Sequence, residues 1–156
     1  GMAGFNEEMI NNIIPFVESQ YRVLTDAKNR ALSGLSMGGG QAFYVGLQNT
    51  DTFGSVGIFS TGLFGGIGGR RGGMGGGFNA EEQMPGLLTD AKTFNEKLDL
   101  LYISVGQQDP RIEATKSIVE TFREKGLDVE FNSFPGGHEW QVWRKSLHDF
   151  ASLLFK

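Results

Sequence analysis

A glycine-flanked serine turn between an apolar stretch and a helix constrains this chain more than any other feature. Ala31-Leu32-Ser33-Gly34-Leu35-Ser36-Met37-Gly38-Gly39-Gly40 reads as a short strand, a sharp turn with Ser36 at its apex, and the start of a helix. Gly34 and Gly38 flank the serine in the G-x-S-x-G pattern of a nucleophile elbow. At such a turn the incoming strand and outgoing helix crowd each other, so a Cβ two residues either side of the serine is expected to clash. The turn holds the serine oxygen clear of the sheet. Met37, the next residue, is then placed to aim its N–H at a developing oxyanion, with the helix N-terminus adding a favourable dipole.

The pentapeptide alone is weak evidence, because a chain with 24 glycines supplies roughly 0.2 such matches by chance. Its local cost says more. Gly38, Gly39 and Gly40 open a segment, Met37 to Leu47, whose Ala42, Phe43, Val45 and Leu47 favour packed helix. Each helical glycine costs up to about 1 kcal/mol relative to alanine, and repeated violations at one spot usually serve a site. The competing reading is a glycine-rich turn that merely allows close packing.

The rest of the chain alternates strand and helix patterns. Helical stretches are predicted from Asn6, as N-cap, to Tyr21, with an apolar stripe of Met9, Ile10, Ile13, Ile14, Val17 and Tyr21. Pro15 falls inside that stripe and predicts a kink or a late start. Strands are predicted over Arg30 to Gly34, Ser55 to Ser60, Leu100 to Val105 and Asp128 to Phe134, the last at a sheet edge. Helices are predicted over Ile112 to Lys125, stopped by Gly126, and over Trp140 to Phe155, with Trp143, Leu147, Phe150, Leu153 and Leu154 turned inward. This alternation gives an α/β fold with about four parallel strands and flanking helices, in a single domain spanning 1–156.

Composition removes several function classes. The net charge is −4 with no cationic stripe, which argues against nucleic acid as the main partner. There is no cysteine, hence no disulfide, thiolate catalysis or cysteine metal site. No apolar run approaches the ~20 residues of a membrane span, so no membrane partner is expected. Gly1 ahead of Met2 looks like a tag remnant, and the following segment, with Glu7 and Glu8, does not read as a signal peptide. The glycine-rich stretch 65–77 holds Arg70 and Arg71 and follows no phosphate-loop pattern. It reads as a surface loop, or alternatively as a flap whose arginines meet an anionic or sugar-rich substrate.

A serine nucleophile needs a base within reach and a carboxylate to orient that base. Of two histidines, His138 lies in Pro135-Gly136-Gly137-His138-Glu139-Trp140, between the last strand and the last helix, whereas His148 is mid-helix. Asp109, in Gly106-Gln107-Gln108-Asp109-Pro110, directly follows the most apolar strand. A turn aspartate before proline is the plainer reading of that residue alone. Together, Ser36, Asp109 and His138 each follow a predicted parallel strand, in the order Ser, Asp, His of α/β-hydrolases.

The runs Ile13-Ile14-Pro15-Phe16-Val17-Glu18, Arg30 to Gly39, Phe53-Gly54-Ser55-Val56-Gly57, Gly106 to Asp109 and Gly136 to Trp140 resemble the putative esterase family of α/β-hydrolases. That family includes feruloyl esterase domains, acetylxylan esterases and esterase D-like enzymes. The resemblance covers nearly the whole chain. It implies Ser36 as nucleophile, His138 as general base, Asp109 as its orienting acid and Met37 N–H as oxyanion donor. It implies feruloyl or acetyl esters of plant polysaccharide as substrates and no cofactor or metal. Trp140, with Arg70 and Arg71, is a candidate substrate contact.

By the same resemblance, family members carry about four further strands before the segment that opens this chain. The resemblance therefore implies a truncated α/β-hydrolase lacking a second oxyanion donor and one pocket wall, with impaired activity. A bare edge on the strand ending at Gly34 predicts a homodimer through antiparallel edge pairing. The alternative is an inactive esterase remnant serving as an assembly or interaction module.

Overall fold

The computed structural model describes residues 1–65 and 78–156. Four parallel strands form one sheet in the order β1-β2-β3-β4: β1 (Ala31–Leu35), β2 (Ser55–Phe59), β3 (Leu100–Gly106) and β4 (Glu130–Phe134). Each lies within two residues of its predicted span. Along the inner strands, residues alternate between two cores. Val56, Ile58, Leu101 and Ile103 face α3 (Met37–Gln48) and α6 (Ile112–Glu124), where Phe43, Leu47, Val119 and Phe122 complete one apolar layer. Phe59 and Tyr102 face the other side and pack on Phe150 of α7 (Trp140–Leu153). Gly57 lets that helix approach, since a Cβ there would lie 3.0–3.1 Å from the Phe150 ring. The three layers put the carboxyl ends of all strands at one edge, where Ser36, Asp109 and His138 follow.

The amino-terminal helix differs from expectation. It begins at Met2, as α1 (Met2–Glu8), widens to a π turn over Met9–Ile13, and continues as α2 (Ile14–Gln20). In the wide turn Ile14 N–H donates to Met9 O, five residues back. Pro15 explains this: its ring excludes the preceding carbonyl and it has no N–H, so a wider turn accommodates it without breaking the helix. Asn6 is not the cap; its side chain accepts a hydrogen bond from Asn49 Nδ2 at 2.6 Å, pinning the helix to the end of α3. None of the predicted stripe is fully buried, and Ile13, Val17 and Tyr21 are exposed.

At α7 the inward face is Val142, Ser146 and Phe150, while Leu147 and Leu153 are exposed, contrary to expectation. Leu147 lines instead a groove with Ser33, Leu35, Phe59, Trp140 and Trp143, beside β1 at the end of the sheet. Gly126 ends α6 as expected, with φ +90° and Leu127 N–H donating to Phe122 O at 2.9 Å.

Two short helices, α4 (Ala80–Gln83) and α5 (Ala91–Lys97), are joined by a loop gathered around one carboxylate. Glu81 accepts from the N–H groups of Gly86 (2.6 Å), Leu88 (2.9 Å) and Thr89 (3.3 Å), and from Thr89 Oγ1 (2.8 Å). The Gly86 N–H, then the others, lower its pKa from 4.5 to about 2. Because the folded value is depressed, its stabilising contribution is present above about pH 4.5 and is lost as pH falls toward about 2. We expect Glu81→Gln to lower the thermal midpoint at pH 7 and to flatten the acid limb of stability across that window. Thermal melts at a series of pH values check this, and an unchanged acid limb would contradict it.

Candidate active site

The elbow is built by backbone crowding. β1 ends at Leu35, Ser36 takes φ 53° and ψ −117°, and α3 starts at Met37. Ser36 N–H donates to Phe59 O at 2.8 Å, tying the turn to the end of β2. A Cβ on Gly34 would fall on the carbonyl group of Gly38, so only glycine closes this turn. The expected requirement at Gly38 is not met, since a Cβ there comes no nearer than 3.9 Å to Gln41 Oε1. The second tight position is Gly39, where a Cβ would lie 3.0 Å from Thr61 and 3.2 Å from Phe59 O. A non-glycine residue at positive φ is strained and persists only where its surroundings over-determine it.

Ser36, His138 and Asp109 lie in single file. Ser36 Oγ is 2.9 Å from His138 Nε2, and His138 Nδ1 is 2.9 Å from Asp109 Oδ2. An ionised carboxylate only accepts, which assigns the imidazole proton to Nδ1 and leaves Nε2 to accept from the Ser36 hydroxyl. The two loops that carry the acid and the histidine are laced together. Gln107 N–H donates to Phe134 O (2.8 Å) and Gln108 N–H to Gly136 O (2.9 Å), while Gln108 Oε1 accepts from Gly136 N–H (2.6 Å). A Cβ on Gly106 would fall on the carbonyls of Gly136 and Gly137, so the last residue of β3 must be glycine for the histidine loop to cross it. Gly136 itself has φ +125°. In the sequence these glycines stand only as motif letters, and the fold shows that they dock two loops.

Asp109 is buried, with its side chain wholly out of solvent. Burial pushes its carboxyl up, but the Arg111 N–H, then His138, then the Arg111 guanidinium outweigh that and hold it below its ordinary value. It is therefore an anion across the neutral range. His138 is half-buried, with the Trp143 ring edge-on at 5.0 Å and Trp140 edge-on to Trp143 at 5.2 Å. Trp140 is 67% exposed beside this cluster. Met37 is exposed, and as the first residue of α3 its N–H has no intrahelical partner. His148 is exposed on α7. Arg70 and Arg71 lie outside the described residues. Among the described residues no group of three His, Asp or Glu side chains is arranged to hold a metal ion.

The family model described as "Putative esterase" matches residues 2–152. The chain belongs to this esterase family. It is 29% identical over 154 residues to an endo-1,4-beta-xylanase/feruloyl esterase of Xylanibacter ruminicola, covering 97% of this chain and 18% of that protein. It is 24% identical over 161 residues to an acetyl esterase of Caldicellulosiruptor saccharolyticus, covering 90% of this chain and 60% of that protein. Among solved structures, a ferulic acid esterase of Anaeromyces mucronatus superposes with a TM-score of 0.71 at 24% identity, covering 97% of this chain and 53% of the other. The esterase-family fold is thus the α/β-hydrolase one, and this chain spans less than two thirds of the relatives it matches.

Proposed function

We propose that this esterase-family chain carries the serine-hydrolase centre of a carboxylic ester hydrolase. The observation that carries the reading is the unbroken file Ser36–His138–Asp109 on a strained elbow. In this reading Ser36 Oγ attacks the ester carbonyl while His138 Nε2 takes the hydroxyl proton. The tetrahedral oxyanion forms against Met37 N–H, and the helix dipole of α3 favours its charge. His138 then returns the proton to the departing alcohol, leaving an acyl group on Ser36. A water deprotonated by His138 releases the acid and regenerates the serine. Asp109 holds the imidazole orientation and stabilises the imidazolium.

For substrate, the names of the relatives support feruloyl or acetyl esters, and the proposal places these on plant polysaccharide. The exposed Trp140 face, one ring away from His138 through Trp143, suits stacking on a flat aryl or sugar ring. Fold alone would not choose this class, since chemistry resides in the site rather than in the scaffold.

Met37 N–H is the one oxyanion donor this reading identifies among the described residues, and loss of one such donor costs about 10²–10³ in rate. β1 stands at the end of the sheet, and the amino-terminal helix leaves Ile13, Phe16, Val17 and Tyr21 exposed; both features support assembly of two chains through that edge. We therefore expect the purified chain to scatter light as a dimer and to hydrolyse aryl acetates and methyl ferulate below about 1 s⁻¹, with Ser36→Ala inactive. A monomer at micromolar concentration would contradict the assembly, and turnover within the usual enzyme range of about 1–10³ s⁻¹ would contradict reliance on Met37 N–H as the sole donor among the described residues.

A further inference from the structure

Arg111 is not part of the Ser-His-Asp set, and its sequence position, two residues after Asp109, gave no sign of a role. In the structure it meets Asp109 twice. Its backbone N–H and its guanidinium Nη1 each lie 3.0 Å from Asp109 Oδ1, on the oxygen opposite the one that faces His138. The guanidinium is largely enclosed, with 17% of its side chain exposed, and it lies against Gly62 in the turn that follows β2. Among the described residues its buried Nε has no hydrogen-bond partner, and Asp109 is the one carboxylate it pairs with. The backbone of Arg111 is fixed in turn: its carbonyl accepts from Thr115 N–H (3.0 Å) and Thr115 Oγ1 (2.8 Å) in the first turn of α6.

We propose that Arg111 is the positioning residue of the site, clamping Oδ1 of Asp109 so that Oδ2 alone is presented to His138. The inference rests on the serine-hydrolase reading above. Its physical basis is the cost of a buried carboxylate oxygen without donors. With Oδ1 occupied by two donors, rotation of the carboxylate would break both and leave an oxygen unpaired. The group is thereby locked at the angle that meets Nδ1–H. The main-chain donor survives any substitution at position 111, so a side-chain variant removes one of the two restraints. Arginine suits the task because its guanidinium is permanently charged, so the single Nη1 contact is a charge-assisted hydrogen bond wherever Asp109 is ionised. The clamp also joins α6 to the catalytic edge, which gives α6 a part in holding the histidine loop.

The test compares Arg111→Met, which keeps most of the apolar stem, with Arg111→Lys, which keeps the charge. One readout is the rate of covalent labelling by a fluorophosphonate, normalised to the fraction finally labelled so that misfolded protein does not count. The other is the downfield proton resonance of His138 Nδ1–H, which reads the Asp109 contact without any turnover. The clamp requires Arg111→Met to label about tenfold to a hundredfold more slowly to the same endpoint, as expected for losing one hydrogen bond to a charged group. Its Nδ1–H signal should broaden or move upfield, and Arg111→Lys should recover most of both. If Arg111→Met keeps the wild-type rate and the wild-type resonance, the clamp is overturned while the serine-hydrolase reading stands. If the wild type itself never labels at Ser36, that reading fails, and the resonance in the two variants still decides whether Arg111 positions Asp109.

Discussion

Gly34→Ala disables the fold at the elbow, and Gly38→Ala does not. These are the two glycines of one motif, and sequence gives no reason to separate them. At Gly34 the added methyl would fall on the main chain of Gly38, and main chain at the head of a helix cannot swing aside as a side-chain end can. Overpacking typically costs 1–3 kcal/mol, and a backbone obstacle places this case at or above about 3 kcal/mol. For a domain of this size that corresponds to a fall in thermal midpoint on the order of 10 °C, or to loss of folded protein. At Gly38 the methyl meets nothing nearer than 3.9 Å and sits in the first turn of α3. There alanine gains helix propensity worth up to about 1 kcal/mol. Thermal melts of both variants check the contrast, and equal destabilisation would contradict the elbow geometry.

The second large effect is on chemistry rather than stability. Ser36→Ala and His138→Ala should each remove ester hydrolysis almost entirely, by about 10⁶ in kcat where the members of a triad act as a unit. Ser36→Gly should do the same while raising the thermal midpoint, because φ 53° with ψ −117° strains any residue with a Cβ. Relief of such strain is worth about 1–3 kcal/mol. Activity assays beside melting curves check the pair of claims. A Ser36→Gly variant that melts below the wild type would show that the serine side chain stabilises the turn instead of straining it.

Much of this was legible in the chain, and the reasons differ by element. The strands were readable because inner parallel strands are apolar on both faces, so Val56-Gly57-Ile58-Phe59 and Leu101 to Val105 stand out as runs. Ser36, Asp109 and His138 were readable as a candidate set because each follows a predicted strand with glycine close by, in the order Ser, Asp, His. The depth of α7 was not legible. Its stripe continues through Leu147 and Leu153, but only Val142, Ser146 and Phe150 are buried, and helical periodicity does not show where a neighbouring layer stops. The π turn before Pro15 follows from proline chemistry, yet a kink, a late start and a widened turn answer the same constraint equally well in sequence. The short helices α4 and α5 carry too few turns for a period to register, and Glu81 organises their loop through backbone N–H groups that a sequence does not display. Arg111 was missed for a similar reason. A charge two residues beyond an aspartate in a turn is ordinary, and only the fold reveals that it closes over the oxygen turned away from the histidine.

The central claim is that Ser36 is an activated nucleophile, and one measurement tests it most directly. The purified chain is treated with a fluorophosphonate and digested, and the modified peptide is sequenced by mass spectrometry. The account predicts a single phosphonyl adduct on Ser36, absent from the Ser36→Ala variant and strongly reduced in His138→Ala. An adduct on another residue, or no adduct on folded wild-type protein, would contradict it.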